Sequence, residues 1–137
     1  MMRELYTQVI MDHYKKPRNH GEMPEADIEE HLLNPLCGDE VTVYAKIEDD
    51  KVSEASFTGR GCSISQASAS MMTERLLGKN REEAEAQIKS FKNMMTGDEE
   101  FPEEDELAAL KGVIQYPSRI RCATLAWDAF GRGLDGK

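Results

Sequence analysis

The chemistry of this chain is concentrated in three cysteines, each set in a short motif: Asn34-Pro35-Leu36-Cys37-Gly38-Asp39, Gly59-Arg60-Gly61-Cys62-Ser63 and Arg119-Ile120-Arg121-Cys122-Ala123. They are the only cysteines in the sequence. Each lies where a turn or a helix start is expected. Gly38 follows Cys37, Gly59 and Gly61 precede Cys62, and Pro117-Ser118 opens the segment that carries Cys122. Soft thiolates joined by one carboxylate, Asp39, form a four-point set suited to zinc or iron. Three cysteines cannot all pair within one chain, and Met1 to Tyr6 has no apolar run that reads as a leader or a membrane span. A reducing cytoplasm is therefore the expected location, where such cysteines more often bind metal or react.

The elements that position these residues follow from patterning. The 137 residues amount to one expected domain, 1–137, long enough for a core without disulfide staples. With 39% hydrophobic and 31% charged residues the composition is that of a soluble globular protein. The net charge of −9 argues against nucleic acid and anionic membrane surfaces as partners. Residues 3–16 place Leu5, Val9, Tyr6 and His13 on one helical face, ending before Pro17. Pro17 to Gly21 reads as a turn, followed by a loop to Pro35. Val41–Ile47 alternates with period two, Val41, Val43, Ala45 and Ile47 facing inward. Asp49-Asp50 then turns the chain into a second strand, Val52–Thr58, with Ala55 and Phe57 on one face. Such a hairpin brings its outer ends together, so Cys37 and Cys62 can close to ligand distance across 25 positions of sequence.

From Ser63 the chain turns helical, with Ile64, Ala67, Met71 and either Met72 or Leu76 on a stripe and Gly78 as a stop. Residues 81–95 form a second helix with Ala84, Ile88, Phe91 and Met95 on one face. Gly97 to Glu106 carries seven acidic residues in ten and reads as a solvated loop, with a partner-docking role as the alternative. A short helix, Glu106 to Gly112, precedes the last one, Ser118 to Phe130, which aligns Ile120, Ala123, Trp127 and Phe130. Cys122 is expected in its first turn or so, where free backbone N–H groups and the helix dipole favour a thiolate.

These residues resemble the U-type iron–sulfur cluster assembly proteins, over nearly the whole chain. The resemblance is carried by Asp12-His13-Tyr14 with Pro17-Arg18-Asn19, by Asn34 to Asp39, by Gly61-Cys62-Ser63-Ile64-Ser65-Gln66-Ala67-Ser68, and by Arg121-Cys122-Ala123-Thr124-Leu125-Ala126-Trp127. Scaffolds of that family carry a histidine just before the third cysteine; here the place holds Arg121. The chain also has extra, acidic sequence around residues 93–110. Both features resemble the SufU branch, zinc-binding sulfur-transfer proteins that serve a SufS-type cysteine desulfurase. Arginine stays protonated and offers no lone pair, so the ligand set contracts to Cys37, Asp39, Cys62 and Cys122.

The resemblance implies Zn²⁺ at those four residues, with Arg119 and Arg121 either offsetting the negative site charge or serving as ordinary helix-start surface residues. Zinc would join three distant segments, at on the order of 10 kcal/mol by analogy with zinc fingers. It also implies that Cys37 frees its thiolate when the desulfurase docks and takes the persulfide sulfur, for delivery to downstream iron–sulfur assembly or acceptor proteins. The alternative is a scaffold on which a transient [2Fe–2S] cluster forms on the same residues. A structural zinc module would call for four cysteines, or three and a histidine. A cysteine–histidine hydrolase is disfavoured, because His13 reads as a core-edge residue, His31 as a loop residue and His20 as a turn residue. Met71-Met72 and Met94-Met95 read as core filler. The expected architecture is α+β: a small antiparallel sheet of about three strands, helices on one side, and the metal site exposed at one edge.

Overall fold

The computed structural model describes residues 2–136, with side chains from residue 7 onward. Leu5 and Tyr6, expected on the inner face of the first helix, therefore have side chains outside the described residues. The elements run α1 (Met2–Lys15), β1 (Ile28–Asn34), β2 (Asp39–Glu48), β3 (Lys51–Arg60), α2 (Ser63–Leu76), α3 (Arg81–Thr96), a 3-10 helix (Glu106–Gln115) and α4 (Pro117–Asp135). The sheet is a three-stranded antiparallel meander in the order β1-β2-β3, so the expected α+β architecture holds.

Two turns fix its register. Asp49 and Asp50 both adopt positive φ, 51° and 63°, the handedness that matches the right-handed twist of hairpin strands. At the other end Asn34 pairs with Asp39, and the backbone N–H groups of Cys37 and Gly38 donate to the Asn34 carbonyl at 3.3 and 2.9 Å. Cys37 thus rides on a tight β1–β2 turn. The register slips between Lys46 and Ile47, leaving Ser53 as the extra residue, so Val52 and Ala55 are both buried despite their odd spacing. Val41, Val43, Ala45 and Phe57 are buried as expected, and Ile47 is half-buried against the core.

Three elements differ from the sequence expectation. The segment read as a loop up to Pro35 contains β1, an edge strand whose apolar content faces inward chiefly at Ile28. Its alternation is hard to read because the sequence runs Ile-Glu-Glu-His-Leu-Leu-Asn, and His31 lies on this strand. The helix after Cys62 is buried nearly all round rather than along a stripe: Ser65, Ser68, Ser70 and Thr73 are as enclosed as Ala67, Met71 and Met72. Tertiary hydrogen bonds make that possible. Ser68 Oγ donates to the Ala123 carbonyl at 2.6 Å and accepts from Trp127 Nε1 at 2.9 Å. The segment after the acidic loop is a 3-10 helix reaching Gln115, three residues beyond Gly112.

α3 begins with a reciprocal capping box, Asn80 with Glu83, and ends on Gly97 in the left-handed region. Its inner face, Ala84, Ile88, Phe91 and Met95, is buried as expected, and Phe91 stacks on Trp127 at 4.2 Å. α4 closes the sheet. Gly133 lets it approach β1 closely, since a Cβ there would sit 2.2 Å from Ile28 Cγ2.

Candidate metal centre

The three cysteine motifs converge at one end of the sheet. Cys37 comes from the β1–β2 turn, Asp39 from the first residue of β2, Cys62 from the corner between β3 and α2, and Cys122 from α4. Ligand atoms of Cys37, Asp39 and Cys122 lie within 4.8 Å of one another. Cys62 joins through Asp39, its Sγ 3.8 Å from Asp39 Oδ2. Cys122 and Asp39 are buried, Cys37 and Cys62 half-buried.

Asp39 organises the corner. Its Oδ1 accepts from the Cys62 backbone N–H at 2.8 Å, leaving Oδ2 beside the Cys62 sulfur. The approach requires Gly61, which has φ +145° and whose missing Cβ would otherwise lie 2.2 Å from Asp39 Oδ1. Asn34, the first residue of the first motif, gains a role that the sequence does not reveal. Buried at the end of β1, it donates from Nδ2 to Cys122 Sγ at 3.6 Å. Its place near Cys37 is a signal, but nothing local points to a contact across 88 positions. Cys37 Sγ reaches the Ser118 carbonyl at 3.7 Å, tying the turn to the start of α4.

The electrostatics correct one expectation. α4 begins at Pro117, which places Cys122 in its second turn, beyond the free N–H groups that would favour a thiolate. Burial pushes the Cys122 thiol well above the ordinary range, and hydrogen bonding to Asp39 and Cys37 and the charges of Cys62 and Asp39 push it the same way. Without a cation these surroundings favour the protonated thiol. A divalent ion satisfies the same sulfur by replacing that proton, and three sulfurs with one carboxylate oxygen fit Zn²⁺ or a cluster iron.

The two arginines separate. Arg119 faces the sulfurs: the charge on Cys62, a hydrogen bond to Cys122 and the charges on Cys122 and Cys37 raise its pKa further. Arg121 instead engages Asp128, which also binds Lys92 at 2.7 Å, in a groove between α3 and α4. Arg121 thus turns to Asp128, while Arg119 lies within electrostatic reach of the sulfurs.

The fold and this arrangement define a U-type assembly domain, and comparison with known proteins agrees. The chain belongs to the NifU-like N-terminal domain family, which it matches over residues 5–134. It is 47% identical to the zinc-dependent sulfurtransferase SufU of Bacillus subtilis, over 95% of this chain and 89% of that protein. It is 42% identical to the iron–sulfur cluster assembly scaffold protein IscU of Streptococcus pyogenes, over 97% of this chain and 84% of that one. Among solved structures, a putative iron–sulfur cluster assembly scaffold protein for the SUF system from Fervidobacterium islandicum superposes with a TM-score of 0.86 at 37% identity. That match covers 96% of this chain and 97% of its counterpart. No helix among the described residues is long and apolar enough to cross a membrane.

Proposed function

We propose that this protein serves iron–sulfur cluster assembly as a zinc-dependent sulfur acceptor, taking persulfide sulfur from a SufS-type cysteine desulfurase on Cys37 and passing it to downstream assembly or acceptor proteins in the cytoplasm. The observation that carries the reading is the placement of Cys37. It is half-buried on a tight surface turn beside Leu36, which is 84% exposed, while Cys122 is buried. Arginine in place of histidine at position 121, engaged by Asp128, supports a zinc carrier over a histidine-completed scaffold, and so does the relative named for zinc-dependent sulfur transfer.

Cys37, Asp39, Cys62 and Cys122 would hold the ion, which when bound keeps sulfur deprotonated without redox activity of its own. The Cys37 thiolate attacks the outer sulfur of the partner's cysteine persulfide. A new S–S bond forms on Cys37, the old one breaks, and the electron pair leaves on the partner's cysteine thiolate. No net oxidation occurs. Arg119 keeps positive charge beside the reacting sulfurs, and Asp39 holds the Cys62 corner in place through its bond to the backbone.

The test is sulfide release by the desulfurase with and without the zinc-loaded protein, iron excluded, together with mass spectrometry of Cys37 for one added sulfur. Turnover should rise steeply, and Cys37→Ala should abolish both the rise and the added mass. Unchanged sulfur acceptance by Cys37→Ala would refute the assignment. Relatives named as scaffolds favour a second reading, in which a [2Fe–2S] cluster assembles on the same four residues. Asp39→Ala separates the two: a scaffold should then hold a longer-lived cluster, whereas a zinc carrier should lose zinc and sulfur transfer together.

A further inference from the structure

A second convergence of ligand-type side chains lies away from the cysteines. His13 of α1 is fully buried, and its Nδ1 sits 2.8 Å from Ser70 Oγ of α2. That hydroxyl also accepts from the Arg18 backbone N–H at 2.8 Å. The ring is thus held at Nδ1, and its Nε2 points at two carboxylates from different elements. Glu106, at the start of the 3-10 helix, presents both oxygens at 3.3 Å, and Glu74 of α2 presents one at 3.9 Å. The three ligand atoms lie within 4.8 Å of one another. A cavity of about 350 Å³ lined by Met71, Glu74, Arg75, Lys79, Glu106 and Leu107 opens onto the two carboxylates.

The spacing is informative. An optimised imidazolium–carboxylate bond closes to about 2.7–2.9 Å, and the bonds to Glu106 are longer and evenly split. Ligands held about 2.1 Å from a common ion stand roughly 3.0–3.4 Å apart at octahedral or tetrahedral angles. The Nε2 to Glu106 separation of 3.3 Å already falls there. Glu74, at 3.9 Å from Nε2, would have to swing closer, and its side chain is 47% exposed and free to do so. Two of the three neighbouring cations are engaged elsewhere. Arg18 is drawn to Asp12 at 2.6 Å, its pKa raised first by that hydrogen bond and only then by charges that include Glu74 and Glu106. Arg75 is bound by Asp105. Lys79 borders the cavity.

We propose that His13, Glu74 and Glu106 form a second cation site, for one divalent first-row transition-metal ion, separate from the cysteine cluster. One imidazole nitrogen and two carboxylates make a borderline-to-hard set suited to Mn²⁺ or Fe²⁺. The Ser70 contact to the other ring nitrogen supplies the outer hydrogen bond that orients a ligating histidine. Glu74 stands twelve residues along α2 from Cys62, about 18 Å at helical rise, so the two sites do not share ligands. A bound ion would clamp α1, α2 and the 3-10 helix together, and the acidic stretch 97–106 would contribute a ligand through its last residue, Glu106.

The experiment takes protein carrying one tightly held zinc per chain, with all excess zinc removed, titrates it with Mn²⁺ and counts the free ion by electron paramagnetic resonance. One Mn²⁺ per chain should be retained beyond the zinc. Glu106→Gln and Glu74→Gln, both at half-exposed positions that leave buried His13 intact, should each weaken it at least about tenfold. Glu104→Gln, in the same acidic stretch, should leave binding unchanged. No retained Mn²⁺, binding insensitive to both ligand variants, or equal loss in Glu104→Gln would each overturn the proposal.

Discussion

Replacing Gly61 with alanine tests the corner on which the cysteine site depends. The residue holds φ +145°, and an added Cβ would lie 2.2 Å from Asp39 Oδ1 and 2.9 Å from Asp39 Cα. The second of these atoms belongs to the backbone, so a rotamer change alone cannot relieve the clash. The strained conformation costs about 1–3 kcal/mol. Displacing the carboxylate from the Cys62 N–H costs roughly 1.5–3 kcal/mol more, as for a bond to a charged group. The sum, roughly 2.5–6 kcal/mol, is a large part of the stability of an ordinary domain. Urea unfolding of the metal-free protein, followed through the fluorescence of buried Trp127, measures it directly. Gly78→Ala is the matched control: φ is +83° there but nothing lies within 4 Å of the new Cβ, so only about 1–2 kcal/mol should be lost. If Gly61→Ala costs no more than Gly78→Ala, the approach of Asp39 to Gly61 does not organise the corner, and the reasoning about the site fails with it.

Two further outcomes follow from buried groups. Ser68→Ala removes the acceptor for Trp127 Nε1 and should destabilise the fold by about 1–3 kcal/mol in urea unfolding, with a shifted tryptophan emission; an unchanged midpoint would show that the indole N–H finds another partner. The raised pKa of Cys122, from burial first, means the metal-free fold binds that proton more tightly than the unfolded chain does. That stability is fully present below the unfolded thiol value, about 8.5, and declines as pH rises above it. Metal-free protein should therefore lose stability between about pH 8 and pH 10, and Cys122→Ser should flatten the slope; a flat wild-type profile would refute it.

Much of this protein can be read before its structure is seen, where side-chain period and burial coincide. The β2–β3 hairpin, the inner face of α3 and the alignment of Ala123, Trp127 and Phe130 are such places, and the hairpin brings Asp39, at the start of β2, beside Cys62. Legibility fails where a distant partner decides. Ser68 and Ser70 look like surface residues until Trp127 and His13 are placed against them. β1 lacks a clear alternation because, as an edge strand, it gives only Ile28 and half-buried Leu32 to the core. The Cys122 thiol departs from expectation because burial, which the packing around α4 imposes, outweighs its place in the helix, and Arg121 because Asp128 lies a further seven residues on.

The last element of the chain has a consequence for the order of events during synthesis. α4 supplies the third sulfur and covers β1 through the close packing of Gly133 on Ile28, and Trp127 fills the space beside Phe91. A nascent chain that has released only about its first hundred residues therefore exposes an unclosed sheet, with β1 and the inner face of β2 lacking the cover of α4, and holds two sulfurs without their mate. Such a surface is prone to association. Closure of the sheet and completion of the three-sulfur set are thus one event, so any ion held by all three sulfurs would report that the chain has been made through α4 and packed.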